Sequence, residues 1–297
     1  MNAPPRSPFL DLPALAALER LRFVPRRRIE GAFSGRHASR RLGGAGEFAD
    51  FREYAEGEDL RHLDWKVLAR TERAYTRLYQ DETNLVCTLA LDTSASMEFG
   101  APLSKLAYAQ HLATALSHVI GRQQDQVGLA LIADRLQTTL APAGAPGHVA
   151  HLQDTLAALA AAPATRLADG LRTLFQQCKR RGVLILMSDF LVDDVEAVFT
   201  AVRLFRSRGW EVITLHLIHP DEEALPEGAA YRFVGLENEG RIDCTPAEIR
   251  AAYQERFEAH AGMVRTLALA TGCDHRRVST AIPYLQTLTG FLVERAG

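Results

Sequence analysis

The stretch Leu85–Met97, LVCTLALDTSASM, decides how this chain is read. Its first half is a continuous apolar run of strand length. Such a run suits a strand covered on both faces, in the middle of an α/β sheet. Its second half puts Asp92, Ser94 and Ser96 in the loop at the carboxyl end of that strand. In an extended chain, residues at i, i+2 and i+4 point the same way. The three side-chain oxygens then aim at one point, which suits a small hard cation such as Mg²⁺. Taken alone, the triplet is equally what a turn and a helix start require, because Asp and Ser serve both.

A second buried-type run, Val183–Met187, ends in Ser188-Asp189, and Thr165 stands just before another helical pattern. Strands alternating with helices imply a doubly wound, mostly parallel sheet flanked by helices. A strand order of 3-2-1-4-5-6 sets strand 1 beside strand 4 at the topological switch point, where such sheets bind ligands. Asp92 ends strand 1 and Asp189 ends strand 4, so two distant runs are expected to meet there. Leu136–Leu140 follows Val127–Ala133 after a connection too short for a parallel crossover, and reads as an antiparallel edge strand.

The DxSxS triplet, the later Thr and the Asp after a later strand resemble the metal-ion-dependent adhesion site of von Willebrand factor type A domains. The resemblance implies a Rossmann-like fold and a bound Mg²⁺, Mn²⁺ or Ca²⁺. Its implied ligands are Asp92, Ser94, Ser96, Thr165 and Asp189, the hydroxyls binding directly and the carboxylates directly or through water. In that family a Gly usually precedes the Thr, whereas here Pro163-Ala164 does.

The chain has 297 residues, 47% hydrophobic and 24% charged, with a net charge of −2. That is an ordinary globular composition, with enough apolar content for one large domain or two small ones. No apolar stretch reaches the roughly eighteen residues of a membrane span. The amino terminus lacks the pattern of a secretory signal. Cys87, Cys178, Cys244 and Cys273 form no CxxC pair, so a reducing, cytoplasmic setting without disulfides or zinc is expected. Pro102 is expected in the first turn of a helix that ends near Gly121. Leu106, Ala109, Ala113, Leu116 and Ile120 form its apolar stripe, and Ser104, Tyr108 and His111 fall on the other face.

Residues 1–35 read as an amino-terminal arm, with a short amphipathic helix offered by Leu12, Leu15, Leu18 and Leu21. Removal of residues 1–34 is expected to leave a stable protein. Basic residues follow, from Arg26 to Arg41, but without interleaved aromatics, so no nucleic-acid partner is expected. Residues 36–82 read as a polar, aromatic-rich segment packed on the core, with Phe51, Tyr54 and Trp65 expected to be buried. Residues 83–240 make the α/β domain, and residues 241–297 a helical extension of it.

Glu47-Phe48, Arg52-Glu53-Tyr54, Gly57-Glu58-Asp59, Arg61, Asp64-Trp65 and Ala69-Arg70 together resemble the signature of the domain of unknown function 58 family. There the signature stands directly before a type A domain, as it does here. The resemblance runs from about Gly35 to the carboxyl terminus. Many members carry transmembrane helices before the signature, and this sequence is similar to the branch without them. The resemblance also implies a MoxR-type AAA+ ATPase as partner in protein maturation or remodelling.

Two functions fit the implied site. A metal held by hydroxyls and two carboxylates accepts a further carboxylate, which makes a binding adaptor for a partner protein presenting an acidic residue. The alternative is a Mg²⁺-dependent phosphoryl or ester hydrolase. No GxSxG, GxxxxGK[ST], HExxH or EF-hand pattern is present.

Overall fold

The computed structural model describes residues 8–26, 39–42, 47–55, 63–81, 84–162, 166–225, 231–235 and 240–296. The elements follow in chain order. Helix α1 is Leu12–Leu18, strand β1 Ser39–Leu42, strand β2 Glu47–Glu53, helix α2 Trp65–Thr71 and strand β3 Tyr75–Asp81. The central unit begins with β4 Val86–Asp92, α3 Lys105–Arg122, β5 Gln126–Ile132, β6 Leu136–Ala143 and α4 Pro146–Ala157. It continues with α5 Leu167–Gln177, β7 Val183–Ser188, α6 Val195–Ser207, β8 Glu211–Ile218 and α7 Pro220–Glu223. Then come β9 Tyr231–Val234, β10 Arg241–Cys244, α8 Pro246–Ala270, β11 Asp274–Ser279 and α9 Tyr284–Ala296.

The main sheet has six strands in the order β11-β8-β7-β4-β5-β6. All neighbours are parallel except β6, which runs antiparallel to β5 at the edge. Counted within this sheet, that is the expected doubly wound order, with β4 and β7 at the switch point. Every residue of β4, β7 and β8 is buried. The period-2 alternation sorts each strand onto two cores. Cys87, Leu89, Leu91, Ile185, Met187, Ile213 and Leu215 face the core shared with α3, α4 and α9. Ala90, Leu184, Leu186 and Val212 face the core shared with α5, α6 and α8. This two-sided burial is why these strands read as unbroken apolar runs.

Several expectations are corrected. Helix α3 starts at Lys105, with Ser104 as its cap accepting from Ala107 N at 3.1 Å, so Pro102 lies in the turn before it. Gly121 lies inside the helix. Tyr108 is fully buried, and its hydroxyl donates to Ile282 O at 2.8 Å. The helix is covered on more than one side because α4 and α9 pack on it as well as the sheet. Apart from the main sheet, Tyr231–Val234 pairs with β10 in a two-stranded sheet.

The segment read as an arm is docked. Leu10, Ala14, Leu18, Leu21 and Phe23 join the first core, while Leu12 turns outward. The anchor is Arg295, whose side chain is wholly buried. Its Nε donates to Val24 O at 3.0 Å, its Nη1 to Asp274 Oδ2 at 2.7 Å, and its Nη2 to Glu211. One guanidinium thus ties the amino-terminal segment, α9 and the first residues of β8 and β11 together.

In the signature segment, β1, β3 and β2 form a three-stranded antiparallel sheet. Trp65 is 60% exposed, against the expectation of burial. Asp64 caps α2, its Oδ1 accepting from Lys66 N at 2.9 Å and Val67 N at 3.2 Å. That cap turns Trp65 outward and leaves Leu63 as the inward residue. Tyr54 is half-buried, and the Phe51 side chain and Arg61 lie outside the described residues.

Candidate metal site

Asp92 is the last residue of β4 and is fully buried. Its Oδ1 accepts from Ser94 N at 3.0 Å, and its Oδ2 from Ser188 Oγ at 2.6 Å. Ser94 and Ser96 come together with their Oγ atoms 3.0 Å apart, across the start of a 3-10 turn over Ala95–Glu98. Thr93 fastens this loop to the next strand, its backbone N donating to Ile132 O at 2.8 Å. Asp92, Ser94 and Ser96 are therefore gathered in one loop, and Ser188 joins that loop to β7.

Asp189 follows Ser188 and is 2% exposed. Its Oδ1 accepts from Leu191 N at 3.1 Å. Phe190 takes a left-handed backbone, with φ 55°, which few aromatic residues adopt. Its ring stacks on Phe199 and meets His216 edge-on, and this packing holds the sharp turn after Asp189. Thr165 lies outside the described residues. The residues flanking that gap are both fastened to the same end of the sheet. Ala162 N donates to Thr93 O at 2.8 Å, and Arg166 N to Ala133 O at 2.7 Å.

Two charged residues not assigned from sequence complete the cluster. Lys105, the first residue of α3, is wholly buried, and its Nζ donates to Asp189 Oδ2 at 2.7 Å and to Glu222. Glu222 belongs to the short helix α7, and its Oε2 accepts from His219 N at 2.8 Å. Gly100, at φ 116°, lets the preceding loop approach His219; a Cβ there would lie 2.3 Å from the ring. Lys105 was legible in one respect: it shares a stripe with Ala109, Leu112 and Leu116, where a lysine needs a buried partner.

Burial, and then the charge of Asp189, push Asp92 up to about 6, against the pull of its bonds from Ser188 and Ser94. Burial pulls Lys105 down, but Asp189 and Glu222 outweigh it, so it stays cationic. Among the described residues, no group of three or more His, Cys, Asp or Glu is arranged to hold a metal ion. The cluster is hydroxyl-rich instead, with Ser94, Ser96 and Ser188 beside two carboxylates.

The sequence profile described as "Protein of unknown function DUF58" matches residues 50–262. The chain belongs to the DUF58 family. This DUF58 chain is 30% identical over 224 residues to the uncharacterized protein Rv1480 of Mycobacterium tuberculosis, covering 73% of this chain and 69% of that one. Its fold is similar to that of the conserved hypothetical protein BatB from Bacteroides thetaiotaomicron. The TM-score is 0.50 at 18% identity, covering 72% of this chain and 99% of that one. An aerotolerance-related membrane protein from Bacteroides fragilis gives the same figures, a TM-score of 0.50, 18% identity and 72% and 99% coverage. The DUF58 chain thus shares with these two proteins a mostly parallel sheet flanked by helices. No helix among its described residues is long and apolar enough to cross a membrane.

The donor set fits a hard divalent ion in chemistry. Asp92 and Asp189 supply charge, and Ser94 and Ser96 supply neutral oxygens. Burial first, and then the charge of Asp189, raise the Asp92 carboxyl, and a bound cation would offset both.

Proposed function

We propose that this DUF58 protein is a binding adaptor that grips an acidic side chain of a partner protein through a Mg²⁺-type ion. Asp92, Ser94, Ser96 and Asp189 would hold the ion, with Thr165 as the further ligand that the resemblance implies. A type A-like fold fits a protein-interaction role. The observation that carries the reading is the gathering of Asp92, Ser94, Ser96 and Ser188 at the switch point. The ion would act as a Lewis acid toward a carboxylate from outside. The chain's own residues orient the loop and exclude water from Asp92.

The rim supports docking of a protein. Phe99 and Leu191 are exposed apolar side chains, one on each of the two loops that carry the site. A partner segment with an acidic residue beside apolar ones matches that rim. The family resemblance makes a MoxR-type AAA+ ATPase, or its client, the first candidate. Cys87, Cys178 and Cys244 are free thiols, which supports a cytoplasmic setting.

The test is retention of proteins from native lysate with Mg²⁺ and with EDTA. A defined partner should be held in Mg²⁺, released in EDTA and lost with Asp92→Ala. Equal retention in EDTA overturns the reading. So does turnover of a phosphate ester by purified protein that vanishes in Asp92→Ala, which would mark a hydrolase.

A further inference from the structure

Lys105 has an unusual position. Its side chain is fully enclosed, with the ammonium between Asp189 and Glu222 and over the Phe99 ring, 5.8 Å from its centre. A buried lysine is costly unless it is paired, and here the pairing is with the carboxylate next to the switch point. Lys105 reaches Asp189 from a helix on the first-core side, and Glu222 reaches Lys105 from the short helix α7 after β8. Three elements thus converge on one ammonium.

The charges at this end of the sheet decide what it does. Asp92, Asp189 and Glu222 carry three negative charges when ionised, and Lys105 returns one positive charge. One oxygen of Asp189 is already taken by the ammonium and the other by Leu191 N. A divalent ion held by Asp92, Ser94 and Ser96 would meet an Asp189 already neutralised, with a fixed positive charge behind it.

We infer that Lys105 is the built-in cation of this site, competing with a divalent ion for Asp189 and keeping that ion weakly held until a partner carboxylate joins it. The inference rests on the proposed metal site and adds to it the residue that sets its affinity. It also gives the cluster a cation of its own, which holds Asp189 in place whether or not an ion is present. A lysine with a purely structural role would do the reverse, because losing it would loosen the site and weaken ion binding. The sign of the effect therefore separates the two.

The experiment is calorimetric titration of the full chain with Mn²⁺ alone, for wild type, Lys105→Met, Lys105→Gln and Lys105→Arg. Lys105→Gln keeps an N–H donor for Asp189 without the charge, in case Lys105→Met fails to fold. Thermal unfolding with and without Mn²⁺ checks that each variant is folded. The neutral variants should bind Mn²⁺ at least about tenfold more tightly than wild type, because a nearby positive charge is gone. Their melting temperatures should also rise more on adding Mn²⁺. Lys105→Arg should bind like wild type. Wild-type binding with no tightening in the folded neutral variants overturns the inference and leaves the metal site standing. Binding detected for the neutral variants alone supports the inference, the wild-type chain holding the ion more weakly than the titration reads. No binding by any of them ends both.

Discussion

Ser188 Oγ lies 2.6 Å from Asp92 Oδ2, joining residues 96 apart in the sequence across the switch point. The same hydroxyl accepts from Phe190 N at 2.8 Å, so it couples the Asp92 carboxylate to the turn that carries Asp189. Ser188→Ala should therefore do two things. It should destabilise the fold by about 1.5–3 kcal/mol, the cost of removing a hydrogen bond to a buried charged group. It should also weaken Mn²⁺ binding, although Ser188 is not among the proposed ligands. Urea unfolding and calorimetry check both parts.

Asp92→Asn should leave the ion-free protein at least as stable as wild type near pH 8. A carboxyl raised to about 6 is less stable ionised in the fold than in the unfolded chain. The stability tied to its protonated form is fully present below about 3.8 and is lost as pH rises through about 6. At pH 8 the ionised group costs about 3 kcal/mol, which an amide avoids. Asn can still accept from Ser94 N and donate to Ser188 Oγ. Melting in EDTA should show no loss, whereas the stabilisation by Mn²⁺ should disappear.

The pH dependence has a separate source in His216. Burial first, then the charge of His275, and after it His260 and Arg277, depress His216 to about 3, against the pull of Asp189. Its Nδ1 is buried without a hydrogen-bond partner among the described residues. The stability carried by the neutral ring is fully present above about 6.5 and is lost progressively as pH falls toward 3. The loss is up to about 1.4 kcal/mol per pH unit. Asp92 works in the opposite direction over part of this range, so the comparison is with His216→Gln, in which Asp92 is unchanged. Urea midpoints between pH 6.5 and 4 should fall more steeply for wild type than for the variant.

Removing residues 1–26 should strip the first core of Leu10, Leu18, Leu21 and Phe23. Each such side chain contributes about 1.5–3 kcal/mol on burial. Their sum is of the same order as the whole stability of a typical domain, about 5–15 kcal/mol. The truncated chain should aggregate or melt far below the intact one. Unchanged melting would mean that the docking of α1 adds nothing.

Arg295→Met should cost about 3–5 kcal/mol, because Glu211 and Asp274 would lose their buried partner. Arg295→Met combined with Glu211→Gln should recover part of the loss. Denaturant unfolding of the single and double variants checks this.

The main sheet was legible because its strands are buried on both faces. The runs at Leu85–Leu91 and Val183–Met187 are unbroken for that reason, and chain order with right-handed crossovers then fixes their neighbours. The spacing of Asp92, Ser94 and Ser96 placed them in one loop, but taken alone it fits a turn or a helix start equally well. Lys105 showed only through the apolar stripe it shares, since a lysine at a helix start usually faces water and the covering by Glu222 is what makes it a core residue. Helix α1 was offered by its leucine spacing, but seven residues give too little pattern to show that a partner, α9, waits for them. Trp65 misled because an aromatic residue in a charged stretch suggests burial, whereas its place just after the Asp64 cap points it outward.

The anchoring by Arg295 has a practical consequence for handling the molecule. Glu211 and Asp274 are the first residues of their strands, while Asp92 and Ser188 are the last of theirs. A strand of this length rises about 20 Å. A tether joined after Arg295 therefore leaves from the far pole of the sheet. Protein immobilised by that tail would present Phe99 and Leu191, the exposed rim of the site, to the solution. A sensor chip made this way should respond to partners without steric masking.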